Sequence, residues 1–162
     1  MLLLRFVALL ALVVWVGGLV ALGAIAAPAT FDVMALRQVA DGRVLAGAVF
    51  GEILHRFFFV SCGAAVVLLG SFGLRRVLGP KPRRLGVRGG ILLLMLAATL
   101  YAGIVVAGRI ATLQTSIGAA PSSLPESDPR RIEFGRLHGL SSALQLIPLL
   151  GGLCLIFWEL KE

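Results

Sequence analysis

FVALLALVVWVGGLVALGAIAA, residues 6–27, is a run of 22 residues without a charge. At about 1.5 Å of rise per residue, a helix of that length covers the roughly 30 Å of hydrocarbon in a bilayer. A cleaved leader is the competing interpretation, with Arg5 as its basic start and Ala24-Ile25-Ala26 as its cleavage site. The apolar stretch far exceeds the roughly 7–15 residues of a leader's apolar core, so the run is assigned as a membrane span.

Three more such runs follow. Residues 57–74 are 18 uncharged residues, and the helix is expected to begin near Val44 because residues 44–51 are uncharged too. Residues 89–108 form a run of 20 that ends at Arg109, with the helix continuing to about residue 117. Residues 137–158 are 22 residues carrying His138, with Pro148 expected to bend the helix. The composition agrees: 59% of the 162 residues are hydrophobic, 14% are charged, and the mean hydropathy is +0.99. A soluble domain carries about 25% charged residues, and one soluble core cannot hide this much apolar surface. The expected fold is therefore all-α: one membrane domain over residues 1–162, with spans at about 6–27, 44–74, 89–117 and 137–158 in an antiparallel four-helix bundle.

Charge placement orients the bundle. Residues 75–88 hold Arg75, Arg76, Lys81, Arg83, Arg84 and Arg88 with no acidic residue. Residues 28–43 balance Asp32 and Asp41 against Arg37 and Arg43, and residues 118–136 balance Glu126, Asp128 and Glu133 against Arg130, Arg131 and Arg136. Lys and Arg are retained on the cytoplasmic side, which puts loop 75–88 and both termini inside the cell (plasma or inner) membrane and the other two loops outside. The net charge of +7 is then a topology signal rather than a nucleic-acid footprint. Membrane lipid is the expected partner. In the 28–43 connector, Phe31, Met34 and Val39 fit one side of a short interfacial helix, with Gly42 as its break. Gly17 and Ala21, Ala98 and Ala102, and Gly103 and Ala107 lie four apart, a spacing for close helix contact in a compact bundle or a homo-oligomer. Cys62 and Cys154 lie in apolar runs and behave as small hydrophobes.

Counting from the inner boundary, His55, Arg109 and His138 come out 19, 20 and 20 residues away, at one level near the outer rim. Glu52 precedes Arg56 by four residues, the favourable order for a helical ion pair, and shares a face with His55. His138, Ser141, Ser142 and Gln145 make one polar stripe, with Gln145 about 10 Å deeper than His138. This layer admits four readings. It is a structural polar network fixing helix register, or an outward-facing solute pocket made anion-friendly by Arg56 and Arg109. Alternatively it holds haem between His55 and His138, or a metal on Glu52, His55 and His138. Ser141 and Ser142 beside His138 lack an oxyanion-stabilising companion, so hydrolytic chemistry is not expected.

Phe134-Gly135-Arg136-Leu137-His138-Gly139-Leu140-Ser141-Ser142, running on to Leu146, resembles the C-terminal motif of the transmembrane protein 205-like family. The likeness extends to Trp15-Val16-Gly17-Gly18, to Ala27-Pro28-Ala29-Thr30-Phe31, and to the entry of span two from Ala46-Gly47 to Phe50-Gly51. Gln145 stands where members of that family often carry Asn, one methylene shorter. The resemblance implies a four-span fold and brings no activity or cofactor. The expected role is non-enzymatic: handling a small solute, or serving as an accessory among other membrane subunits.

Overall fold

The computed structural model describes residues 2–78 and 84–161, so Lys81 and Arg83 of the basic loop lie outside the described residues. Four long helices dominate: α1 Leu2–Leu36, α2 Gly42–Leu78, α3 Leu85–Ile117 and α4 Pro129–Leu160. Each is long and apolar enough to cross a membrane, and only 17–33% of its most apolar window is buried inside the protein. The remainder of each window faces outward, with Val13, Leu69, Leu94 and Leu153 among the exposed side chains. Helices that are apolar on every side need hydrocarbon around them, which is the physical signature of a multi-pass membrane protein.

Around the bundle, α1 neighbours α2 and α4, and α3 neighbours the same two, leaving α1 and α3, and α2 and α4, as diagonals. The core is a column of Leu12, Trp15, Leu68, Leu92, Met95 and Leu155, with Ala8, Ala64 and Ala65 allowing close approach. Every neighbouring pair is keyed by a glycine. Phe57 of α2 covers Gly18 of α1, and Phe58 of α2 covers Gly103 of α3. Met95 of α3 covers Gly151 of α4, and Val16 of α1 covers Gly152. At each of these a Cβ would overlap the covering side chain. Gly17, by contrast, meets nothing within 4 Å and is exposed, as is Ala21, so the expected Gly17–Ala21 contact is not made within the chain. Of the other two pairs, Ala98 is buried and Ala102 half-buried, whereas Gly103 is covered by Phe58 and Ala107 is exposed.

The helices outrun the uncharged stretches. Instead of leaving the membrane into a separate interfacial helix, α1 continues through Pro28 to Leu36. A wide π turn at Leu22–Ala26 precedes the proline, where the altered backbone register accommodates a residue with no N–H. The chain breaks at 37–41, where Gln38 and Asp41 adopt positive φ. Gly42 opens α2, where a Cβ would stand 3.2 Å from the Met34 carbonyl oxygen, closer than an ordinary contact. A second π turn lies in α3 at Tyr101–Val106, and Gly118 ends that helix in the left-handed conformation, its N–H donating to the Gln114 carbonyl. Pro148 is buried inside α4, and the helix runs through it to Leu160.

Candidate functional site

Arg43 donates to Ser122 Oγ at 3.3 Å, so the 37–41 and 118–128 connections meet at one end, the far end. The opposite, near end gathers Arg5, Arg75, Arg88 and Glu159, beside both chain termini.

At the far end an open cleft of about 480 Å³ lies between α3 and α4, lined by Val105, Gly108, Arg109, Thr112, Leu113, Ser116 and Glu133. Arg109, Thr112 and Ser116 recur at three- and four-residue spacing and so share a face of α3. Thr112 Oγ1 donates to the Gly108 carbonyl at 3.0 Å, and Ser116 Oγ to the Leu113 carbonyl at 2.7 Å. With their protons committed, both oxygens have acceptor lone pairs left to offer. Arg109 and Glu133 form no hydrogen bond or ion pair with the described residues. The cleft thus combines a cation, an anion, two hydroxyl acceptors and the apolar walls of Val105 and Leu113.

Of the far-end residues singled out from sequence, Arg109 alone lines this cleft. Glu52 and Arg56 pair with each other at 2.7 Å on the exposed surface of α2. His55 is exposed, edge-on to Phe59 with ring centroids 5.1 Å apart. His138 is exposed and stacks on Phe134 at 6.1 Å, while Ser142 Oγ donates to its carbonyl at 3.1 Å. Ser141 and Gln145 are half-buried on α4. The two histidines stand on α2 and α4, which are not neighbours in the bundle. Among the described residues no three His, Cys, Asp or Glu side chains gather where they could hold a metal. Just beyond the cleft, Asp128 caps α4 by accepting from Arg130 N at 2.8 Å. Hydrogen bonds from the Arg130 side chain and backbone hold its carboxyl below the usual carboxylate value.

The near end holds residues that the far-end reasoning passed over. Glu159 of α4 is fully buried, and Arg75 Nη1 of α2 donates to its two carboxylate oxygens at 2.8 and 2.9 Å. Arg88 Nη1 of α3 donates to Oε1 at 2.7 Å, and its guanidinium stands 5.8 Å from the Trp158 ring centroid. Arg5 Nη2 of α1 donates to the Glu159 carbonyl at 2.6 Å, with Nε 4.0 Å from the carboxylate. Each helix therefore sends one charged residue into a single buried knot. A buried carboxylate is tolerated only when paired and hydrogen-bonded, and this one is both. The signal was available: Arg5, Arg75, Arg88 and Glu159 each flank the same end of an uncharged run.

Fold and polar ends together define a polytopic four-helix membrane protein with an open polar cleft at one end and an ion-paired closure at the other. The chain belongs to the family of the domain of unknown function DUF4149, whose model matches residues 10–118. That match covers α1 to α3 and stops short of the His138-Gly139-Leu140-Ser141-Ser142 stretch. No curated protein and no solved structure gives a significant match.

Proposed function

We propose that this protein is a non-enzymatic binder of a small polar solute, taken into the α3–α4 cleft at the far end. The cleft itself is the observation that supports it: Arg109 for an anionic group, Glu133 with the Thr112 and Ser116 oxygens for a cationic or N–H donor group. A zwitterion of amino-acid size fits that chemistry better than a simple anion, because Glu133 repels a ligand that is negative throughout. The near end is shut by the knot beneath a packed core, so the role is capture or sensing at one face rather than passage through the bundle. In the same proposal the helices run antiparallel in the cell (plasma or inner) membrane. The near end is cytoplasmic, as the six Lys and Arg of residues 75–88 suggest, and the cleft opens outward. The likeness of residues 134–146 to the transmembrane protein 205-like family belongs to this proposal too and adds no activity to it.

The test is calorimetric titration of detergent-purified protein with a panel of amino acids and short-chain anions. Binding of a zwitterion should weaken roughly 10- to 100-fold in Arg109→Gln and in Glu133→Gln, the range for losing one charged hydrogen bond. Heats indistinguishable between wild type and both variants for every compound would overturn the assignment of the cleft.

A further inference from the structure

We infer that α3 carries a hinge at its π turn, Tyr101–Val106, on which residues 107–117 swing and carry Arg109 toward and away from Glu133. The inference deepens the cleft reading by giving the site an open and a closed form, and it rests on that reading for what the movement serves. Three observations carry it. First, the turn has no local cause. The π turn of α1 precedes Pro28, whose missing N–H accounts for it, whereas α3 holds no proline and the first to follow it is Pro121. A π turn interrupts the α-helical ladder, and such turns recur where helices bend and at functional sites.

Second, packing changes at the turn. On its near side Leu92, Met95 and Ala98 are buried, and Val106, 1% exposed, ends the series. Beyond it no residue of Ala107–Ile117 is buried. Of the other helices this segment packs mainly on α4, and it reaches α2 through the Gln114 side chain beside Gly47. A segment with so little buried surface changes position at low free-energy cost. Third, the pivot is small. Gly103 lies inside the turn under the Phe58 ring, and Gly108 follows it, so the backbone can change direction there with little side chain to displace. The cleft is divided at the same place. Gly108, Arg109, Thr112, Leu113 and Ser116 lie beyond the turn, while Glu133 stands on α4, which runs without a break from Pro129 to Leu160. Opposite charges on the two walls favour the closed form, and their hydration favours the open one.

The experiment needs no ligand. In a background lacking Cys62 and Cys154, nitroxide labels at Thr115→Cys and Leu146→Cys make a pair that spans the turn. Labels at Leu93→Cys and Leu146→Cys make a control pair below it. All three positions are exposed and none lines the cleft. Pulsed electron–electron distance measurements on the full chain in nanodiscs should give the spanning pair a distribution roughly twice as wide as the control. A π turn holds one residue more than an α turn, so removing Ile104, exposed and outside the cleft, should restore the α-helical register and narrow the spanning distribution to the control's width. A spanning distribution already as narrow as the control would overturn the hinge and leave the turn as a seat for Phe58. If the chain without Ile104 fails to fold, hydrogen exchange of the unaltered protein decides. Residues 107–117 should exchange roughly tenfold faster than residues 129–138, which stand at the same height on α4, and equal protection would overturn the hinge. A mobile segment in a protein whose calorimetric titrations show no binding would uphold the hinge and overturn the solute reading alone.

Discussion

Glu159 is the residue on which the near end depends. Its carboxylate takes Nη1 of Arg75 and of Arg88 while fully out of contact with solvent. Removing one side of a buried ion pair leaves the other charged and desolvated, a loss of about 3–5 kcal/mol. Glu159→Ala should therefore lower the thermal midpoint of the purified protein by on the order of 10 °C. Glu159→Gln, which keeps one acceptor oxygen, should lower it less. Differential scanning fluorimetry reads both, and midpoints equal to wild type would mean that the arginines are stabilised by other groups. Trp15 poses the converse problem. It is fully buried, and its indole Nε1 has no hydrogen-bond partner among the described residues. Trp15→Phe removes an unpaired donor together with some packing and should be nearly neutral. Trp15→Ala opens a cavity and should cost about 3–5 kcal/mol.

At the scale of elements, helix pairing depends on glycines that accept a neighbour's side chain, and their substitutions should rank by how far that neighbour can yield. Val16, which covers Gly152, is β-branched and stiff at χ1, so Gly152→Ala should destabilise by about 1–3 kcal/mol. Gly18 meets the far edge of the Phe57 ring, which swings more easily, and Gly18→Ala should cost less. Gly17→Ala, with nothing within 4 Å, serves as the neutral control. Thermal midpoints in one detergent would establish the order, and a Gly17→Ala loss matching that of Gly152→Ala would point to a second copy packing on the outer face of α1. The start of α4 offers a pH test. The folded Asp128 carboxyl titrates below its ordinary value of 3.8 because Arg130 donates to it. Protonation therefore favours the unfolded form: the cap contributes fully above the ordinary carboxylate pKa, and its contribution fades as pH falls through the lower folded value. The midpoint difference between wild type and Asp128→Ala should be constant from pH 7 to about 5 and shrink progressively below about pH 4. A difference that does not shrink at all between about pH 5 and pH 3 would argue against the cap as its source.

The whole molecule is a bundle closed at one end by charge and open at the other, and its orientation has a direct readout. In a background lacking Cys62 and Cys154, Ser122→Cys should react with a membrane-impermeant maleimide in intact cells, whereas Arg76→Cys should react only after permeabilisation. The reverse pattern would invert the proposed topology. Much of this molecule was legible in its 162 residues. Four uncharged runs predicted four spans, and all four helices are long and apolar enough to cross a bilayer. Counting along the spans singled out Arg109, which lines the cleft, but it could not tell that Glu52, His55 and Arg56 lie on exposed surface of α2. The count gives height alone. Nor did it connect Glu133, assigned to a loop, with Arg109. Their shared place on the cleft follows from α4 beginning at Pro129.

Sequence by itself determined the number of spans, the level of each polar residue and the ends at which charge collects. These follow from rise per residue and from the cost of charge in hydrocarbon, both local quantities. Tertiary structure decided the rotation of each helix about its axis and which helices are neighbours. It placed Arg109 and Glu133 on one cleft, put His55 and His138 on non-neighbouring helices, and turned Arg5, Arg75 and Arg88 onto Glu159. Rotation is set by how Phe57, Phe58, Met95 and Val16 fit the glycines of adjacent helices, and that fit involves residues far apart in the chain.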